Sequence, residues 1–202
     1  MEIKRFLDEL ASGTPTPGGG SASALAGALS ASLVMMVEGL SGKKAHAGQR
    51  GMEKIRKRTA IIQKRLFKAI EEDARSFDEV MRAFRLPKNS EKERLLRKKK
   101  IQKAYQKATI TPQLVCRCAI ELLEYSKFLI MKGNPNAVSD AGVAAFLADA
   151  ALAGGLINIG INLMPVSEKA FLKRMNSLRE DLSRKRNRLM QGIEKALEKR
   201  LS

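Results

Sequence analysis

Apolar residues recur along most of this chain at the spacing of an α-helix. Ile3, Phe6, Leu7 and Leu10 follow an i, i+3, i+4, i+7 pattern, which predicts a short amphipathic helix over residues 2–11. Related patterns, some apolar on one face and some apolar all round, predict further helices over about residues 20–39, 52–84, 114–131, 139–162 and 168–201. No strand pattern, internal repeat or long linker interrupts them. The 202 residues are therefore predicted to form a single all-α domain, a multihelical bundle of long antiparallel helices.

Several residues mark where these helices should begin and end. Ser90 and Glu93 have the spacing of a capping box, which predicts the start of a strongly basic helix. Pro112 is expected to kink that helix or to restart it, and Gly133 is expected to cap the next helix end at the C′ position. Residues 42–51 are predicted to form a loop between the second and third helices.

The composition indicates which side chains pack the helices together and which charge a partner should carry. Aromatic residues make up 4% of the chain and Trp is absent, so the helices are expected to pack through small and aliphatic side chains. The chain has 38 Lys and Arg against 21 Asp and Glu, and its formal net charge of +17 predicts an anionic partner. Nucleic acid, a membrane surface and a polyanionic small molecule would each satisfy that charge. Seven Phe and two Tyr offer few stacking platforms for single-stranded nucleic acid.

The cysteine and histidine content argues against a metal site. Cys116 and Cys118 lie among aliphatic residues, so they are predicted to be buried free thiols. His46 is the single histidine and lies far from them in sequence, so no metal-ligand set is predicted. Two reduced cysteines without a signal peptide point to the cytoplasm.

Two stretches are apolar over many residues. Residues 22–37 are too short to cross a membrane, and residues 141–164 are interrupted by Asp149, Asn158 and Asn162, so no membrane-spanning helix is predicted. Both stretches are expected to be central helices of the bundle. The small-residue helices and the long terminal helix leave apolar surface for a partner, so a homodimer is expected, with packing inside one chain as the alternative for the terminal helix.

Two Pro-containing polar loops each precede a helix of small residues. The first, Thr14-Pro15-Thr16-Pro17-Gly18-Gly19-Gly20-Ser21, combines extended backbone with glycines that let a ligand or another backbone approach closely. It is either a ligand-binding loop at a helix N-terminus or a tight turn in which Ser21 or a glycine is the N-cap. It matches neither a phosphate-binding P-loop nor a dinucleotide-binding fingerprint. The second loop is Asn134-Pro135-Asn136, and the pairing predicts that two helix N-termini frame one site.

These loops and the residues between them resemble the cyclodeaminase/cyclohydrolase family of folate enzymes. That family includes the C-terminal domain of formiminotransferase-cyclodeaminase and the stand-alone methenyltetrahydrofolate cyclohydrolases. The matching segments are Phe6–Ser21, Asp73–Asp78, Phe84–Lys88, Lys132–Gly142 and Asn158–Leu163. The resemblance extends over about residues 2–165 and only loosely over the terminal helix.

The resemblance implies a multihelical dimer that acts on one-carbon tetrahydrofolates and needs neither a metal nor another cofactor. A cyclohydrolase converts 5,10-methenyltetrahydrofolate and water to 10-formyltetrahydrofolate, whereas a cyclodeaminase converts 5-formiminotetrahydrofolate to the methenyl form and releases ammonia. The chain contains no formiminotransferase domain to supply the formimino substrate, which favours the cyclohydrolase.

Both reactions pass through a tetrahedral carbon between two nitrogens, and a carboxylate beside that carbon can accept and return protons. Asp140 begins an apolar helix after the second loop, where a first-turn carboxylate of that helix is the slightly better interpretation on chemistry alone, and the resemblance makes it the first candidate. Asp8 lies a few residues before the glycines and could be an ordinary exposed acid. Asp73 belongs to the run Glu71-Glu72-Asp73, for which a solvated charged face is the simpler interpretation.

Polar residues of both loops and of the helix after the second loop are the candidate substrate contacts. They are Pro17, Gly18, Gly19, Gly20, Ser21, Arg97, Asn134, Asn136, Ser139, Asn158 and Asn162. The Asn side chains match the amide-like edge of a pterin, although Asn158 and Asn162 could instead form hydrogen bonds between helices. Arg97 and its Lys neighbours could bind the glutamate tail of a folate, which gives the positive charge a specific purpose.

Two other functions remain open on the sequence. A non-catalytic basic module that binds nucleic acid through phosphates would explain the charge directly but would leave the two loops unexplained. A structural homo-oligomer would use the loops only to turn the chain.

Overall fold

The computed structural model describes residues 2–41 and 49–202, and within them helices are joined by short connecting segments. The helices are α1 (Ile3–Leu10), α2 (Gly19–Ser41), α3 (Gln49–Phe84), α4 (Glu91–Ala108), α5 (Ile110–Lys132), α6 (Val138–Leu163) and α7 (Lys169–Leu201), with a 3-10 turn at Pro135–Ala137. No strand occurs in the described residues, which confirms the predicted all-α class. Residues 42–48 of the predicted loop, including His46, lie outside the described residues, and residues 49–51 belong to α3 instead.

The two helices richest in small residues pack against each other in opposite directions. Gly19 at the start of α2 lies beside Asn158 near the end of α6, whereas the Ser30 hydroxyl donates to the Ala144 carbonyl, 2.7 Å away, further along both helices. The N-termini of α2 and α6 are therefore at opposite ends of the pair. This arrangement decides which loops can share a site.

α5 completes the core beneath that pair. Its fully buried Leu122, Leu123 and Leu129 belong to the same apolar cluster as residues of α2, α3, α6 and α7. A side chain at Gly155 of α6 would approach Cys116 Sγ of α5 to 2.6 Å, so only glycine permits this close contact. Cys116 and Cys118 are buried free thiols, as predicted, and desolvation raises their pKa values to about 12 and about 11.

Most helix boundaries follow local sequence, with two corrections. The Ser90–Glu93 capping box is confirmed, since each residue's side chain bonds the other's backbone N–H. The break between α4 and α5 falls at Thr109, and Pro112 then lies in the first turn of α5, where its missing N–H is tolerated. Gly133 ends α5 as expected, but with φ −80° and ψ −171° rather than in the left-handed conformation of a C′ cap.

α2 and the segment Pro135–Leu163 are long and apolar enough to cross a membrane by length and composition alone. In this fold they are the central helices of the bundle, and a core helix of a soluble protein satisfies the same criterion. Asp149, one of two acids in α6, accepts hydrogen bonds from Nε and Nη2 of Arg186 on α7 at 2.5 and 2.7 Å. That pair ties α7 to the central layer.

Candidate functional site

A cleft of about 470 Å³ opens where α2 begins and α6 ends. The α3–α4 pair forms its other wall. The lining residues are Pro15, Thr16, Gly18, Gly19, Gly20, Asp73, Ser76, Phe77, Val80, Met81, Tyr105, Ala108, Asn158, Ile161, Asn162, Met164 and Pro165. Its size suits a small organic ligand, and its walls are mainly apolar with a few polar groups, which is typical of a ligand site.

Asp73 provides the one carboxylate among these lining residues. Its carboxyl group lies directly against the backbone of Gly20, where an added Cβ would be 2.5 Å from Asp73 Cγ. Glycine at this position is therefore what allows the carboxyl group to reach the first turn of α2. The Ser21 hydroxyl lies 3.2 Å from Asp73 Oδ2 and 2.9 Å from the Ile70 carbonyl oxygen, so its single proton can serve either acceptor.

Two features of its surroundings shift the pKa of Asp73 in opposite directions. Burial raises the pKa of the Asp73 carboxyl, and the hydrogen bonds from the Ser21 hydroxyl and backbone lower it, with burial the larger influence. A half-buried carboxyl group with a raised pKa in a cleft is a candidate for proton exchange with a ligand. Asp73 is thus the one acidic group among the lining residues and the one whose pKa its surroundings raise.

Two amides on α6 face the same cleft as Asp73. Asn158 Nδ2 donates to the Gly154 carbonyl at 2.8 Å, and Asn162 Nδ2 donates to the Ala108 carbonyl at 3.0 Å. Both amide groups are therefore held by a backbone bond, and each retains an oxygen that can accept from a ligand. The Asn162 bond also connects α6 to the end of α4.

The remaining wall is apolar and includes aromatic rings from both helices of the α3–α4 pair. Phe77 and Met81 come from α3, Tyr105 from α4, and Ile161 and Met164 from the end of α6. Such a wall can hold a flat heteroaromatic ring by stacking and by excluding water. The cleft combines a flat apolar wall with hydrogen-bond acceptors and a single acid.

Comparison with known proteins identifies the family to which this fold belongs. The family model described as formiminotransferase-cyclodeaminase matches residues 2–181. The chain belongs to this family. The crystal structure of formiminotetrahydrofolate cyclodeaminase from Thermotoga maritima is similar to this fold, with a TM-score of 0.90 at 28% identity over 100% of this chain and 98% of that one.

Curated relatives within the family fall into two kinds. Methenyltetrahydrofolate cyclohydrolase from Methylorubrum extorquens is 39% identical over 171 residues, which cover 84% of this chain and 82% of the relative. Formimidoyltransferase-cyclodeaminase from Rattus norvegicus is 28% identical over 172 residues, and the match covers 32% of its length. This family member thus spans most of the cyclohydrolase and about a third of the bifunctional protein.

The structure separates the two loops that the sequence placed around one site. Asn134, Asn136, Ser139 and Asp140 lie at the start of α6, whereas the cleft lies at its end. Asp140 and Asn158 are eighteen residues apart on one helix, or about 27 Å along its axis. The prediction that both helix N-termini frame one site is wrong within a single chain, because α2 and α6 are antiparallel.

Three further candidates lie outside the cleft lining or beside it. Asp8 on α1 is exposed and pairs with Lys4 at 2.7 Å. Arg97 directs Nε and Nη2 to the Phe84 carbonyl at 3.1 and 3.0 Å and stacks over the Phe84 ring, so its donors connect α3 to α4. Pro17 follows a cis peptide bond, between cleft residues Thr16 and Gly18.

The position of Asp73 in the apolar pattern of α3 could have identified it from the sequence, although its two acidic neighbours hid this signal. Asp73 follows Ile70 by three residues and precedes Phe77 by four, so it falls on the stripe of α3 that includes buried Leu66. An acid on an apolar stripe is more informative than its acidic neighbours. Tyr105 and Met164 gave no comparable signal, because their role depends on how α4 and α6 meet.

The described residues also bear on metal binding. Across residues 2–41 and 49–202, no group of three His, Cys, Asp or Glu side chains is positioned to hold a metal ion.

Proposed function

We propose that this protein is a methenyltetrahydrofolate cyclohydrolase, which converts 5,10-methenyltetrahydrofolate and water to 10-formyltetrahydrofolate. The observation that carries the proposal is the half-buried Asp73 carboxyl group of α3, which lies against the start of α2 in a mainly apolar cleft. The similarity to a cyclohydrolase along most of both chains supports the same reaction.

In the proposed mechanism, Asp73 handles the proton of the attacking water. The methenyl carbon belongs to an amidinium cation, which the Asp73 carboxylate stabilises by its charge. Asp73 removes a proton as the water oxygen bonds to the methenyl carbon, which gives a neutral tetrahedral adduct. The carbon–N5 bond then breaks, N5 takes the proton from Asp73, and the adduct hydroxyl loses its proton to solvent as the formyl carbonyl forms. One proton is released overall, and Asp73 returns to its carboxylate form.

The rest of the cleft would orient the substrate. We propose that the pterin ring lies against Phe77 and Tyr105, with its N–H groups donating to the free oxygens of Asn158 and Asn162. Donation from the substrate to these amides would place the bridging carbon towards Asp73 on the opposite wall. The mechanism needs no metal or additional cofactor.

The glutamate tail of the folate gives the basic surface a role. A groove on the other side of the α3–α4 pair is lined by Arg82, Lys100, Lys103 and Lys107, with Glu79 paired to Lys107 at 2.7 Å. We propose that this groove, rather than Arg97, attracts a polyglutamate tail. KM should then fall with tail length at low salt and lose that dependence at high salt.

We also propose that the enzyme is a homodimer. Large apolar side chains are exposed on both central helices, including Leu29 and Met36 on α2 and Phe146 and Ile157 on α6. An uncovered apolar surface of this kind is typical of an interaction site.

The absorbance of the methenyl group tests the proposed reaction. We expect wild-type protein to accelerate loss of that absorbance from 5,10-methenyltetrahydrofolate above spontaneous hydrolysis. The rat relative and the Thermotoga structure support a cyclodeaminase as the second candidate. That activity would be established if the protein did not accelerate this loss but produced the same absorbance from 5-formiminotetrahydrofolate. Neither activity, combined with strongly salt-dependent DNA binding, would favour the nucleic-acid module.

A further inference from the structure

Two glutamines on α4 bind the segment that joins α6 to α7. Gln102 Nε2 donates to the Pro165 carbonyl at 2.5 Å, and Gln102 Oε1 accepts from the Ser167 N–H at 2.7 Å. The Ser167 hydroxyl donates to the same oxygen at 3.1 Å. Gln106, one turn further along α4, donates to the Glu168 carboxylate at 2.7 Å. The single amide of Gln102 thus binds both a carbonyl and an N–H of the segment backbone, and we call this pair of bonds the Gln102 clamp.

The clamp satisfies the backbone on both sides of Val166. Pro165 has no N–H with which to continue α6. The Val166 N–H donates back to the Leu163 carbonyl at 3.0 Å, and the Val166 side chain is buried. The Pro165 carbonyl and the Ser167 N–H, which flank it, are the two groups that Gln102 binds. Gln102 therefore fixes the segment on either side of its buried anchor.

The clamped segment is also part of the cleft. Met164 and Pro165 line the cleft from the α6 side, and Tyr105 lines it from α4. Tyr105 lies one turn along α4 from Gln102, so the helix that presents the aromatic ring also carries the clamp. Because the clamp joins α4 to residues 165–167, its hydrogen bonds set the separation between these two sides of the cleft.

We propose that Gln102 is a positioning residue, which sets the width of the cleft by holding residues 165–167 against α4. A second attachment supports it, since Asn162 Nδ2 donates to the Ala108 carbonyl at 3.0 Å. Residues 102 and 108 are about 9 Å apart along α4, so the two attachments fix the direction of the α6 side of the cleft as well as its distance from α4.

The width of the cleft matters because a flat ring is held by close contact on both faces. A gap of about 0.5–1 Å already forfeits a quarter to a half of the dispersion attraction between two surfaces. A segment displaced by that much would hold a pterin ring weakly. This role of Gln102 rests on the proposed function, whereas the clamp itself does not.

Loss of the clamp should weaken substrate binding more than it slows the reaction. In the proposed orientation the segment contacts the ring and not the reacting carbon, so its contacts are the same in the bound substrate and in the transition state. Removing such contacts raises KM and leaves kcat little changed. Asp73 lies on α3 and is bonded by Ser21, so the pH profile of kcat should also stay as in the wild type.

A pair of glutamine variants tests this expectation. Gln102→Met keeps a side chain of similar length but removes both hydrogen bonds of the clamp, and we expect KM for 5,10-methenyltetrahydrofolate to rise about 10-fold with kcat within about two-fold of wild type. Gln106→Met is the matched control and should keep the wild-type KM, because Gln106 bonds the exposed Glu168, which does not line the cleft. A lower kcat at wild-type KM is the result of destabilisation alone. That result in Gln102→Met, or an equal rise of KM in Gln106→Met, would overturn the positioning role.

Hydrogen exchange, followed by NMR, tests the clamp without any turnover. The Ser167 N–H loses its acceptor in Gln102→Met, and we expect its exchange to become at least about 10-fold faster than in the wild type. Gln106→Met removes a bond between two side chains and should leave that exchange unchanged. Unchanged exchange of Ser167 in Gln102→Met would overturn the clamp, whatever the activity. Absence of turnover in the wild type would instead reject the proposed function, while exchange would still decide the clamp.

Discussion

Replacing Asp73 with Asn should abolish most turnover while leaving the fold intact. The amide has nearly the volume of the carboxyl group, so it fits against Gly20, and its oxygen can still accept from the Ser21 backbone. It cannot take a proton from water or return one to the departing nitrogen. The variant therefore removes the proposed chemistry and little else.

The expected loss follows from the position of Asp73. General acid–base groups contribute about 10²- to 10⁴-fold in rate, and Asp73 is the one carboxylate that lines the cleft. We expect kcat to fall by about 10³-fold, or about 4 kcal/mol of transition-state stabilisation, with a smaller change in KM.

The assay follows methenyl absorbance in matched preparations of wild type, Asp73→Asn and Glu71→Gln. Glu71 belongs to the same acidic run, but it is exposed and pairs with Arg75 at 2.9 Å, so its variant should retain wild-type turnover. Wild-type turnover in Asp73→Asn would refute the assignment of Asp73 as the acid–base group. An equal loss in Glu71→Gln would show that charge on α3, rather than the cleft carboxyl group, controls the rate.

The pH dependence of stability gives an independent readout of the same substitution. Burial raises the pKa of Asp73 in the folded protein, so this group favours folding below its unfolded pKa and loses that contribution as the pH rises through the folded pKa. Asn does not titrate. In urea unfolding, the unfolding free energy of wild type should therefore fall relative to that of Asp73→Asn as the pH rises above about 4. The difference between the two proteins should then become constant at higher pH.

Three further outcomes are expected. Gly20→Ala should lower turnover about as much as Asp73→Asn, because the added Cβ would displace the Asp73 carboxyl group, and its helical circular dichroism should be unchanged. Gly19→Ala is the control, and an effect of Gly20→Ala no greater than that of Gly19→Ala would contradict this prediction. Ser21→Ala removes a hydrogen bond that lowers the pKa of Asp73, so the acidic limb of the kcat/KM profile should move to higher pH, and an unmoved limb would separate Ser21 from that titration. Cys116 and Cys118 should not react with a thiol reagent at pH 8 until the protein is unfolded in urea, because burial holds both thiols protonated; rapid labelling of native protein would contradict their burial.

The helices could be predicted from the sequence because their determinants are local. The apolar spacing around Phe6, the capping box at Ser90 and the break near Pro112 act within a few residues, and each has its counterpart in the structure. Burial of Cys116 and Cys118 was also predictable from their aliphatic neighbours. The conformation of Gly133 was not predictable, because it depends on contacts with distant Ser41 as well as on its own helix.

The first loop was predicted as part of a site, and the structure places Gly18, Gly19 and Gly20 in the cleft. The choice among the acids could not be made from sequence. Asp140 looked more favourable than Asp73, since it begins an apolar helix while Asp73 follows two glutamates. Which of them meets the glycines depends on helix direction, and local patterns carry no information about direction.

The sequence by itself determined the helices, the family and the presence of a glycine loop at the start of α2, because periodicity, capping and motif residues are properties of neighbouring positions. Only the tertiary structure decided that α3 packs Asp73 against the start of α2, and that α2 and α6 run in opposite directions, which leaves Asp140 about 27 Å along α6 from Asn158. Burial, and with it the raised pKa of Asp73, exists only after α2, α3 and α6 have packed together. The raised pKa of that carboxyl group is thus a product of packing, whereas its position in the chain is not.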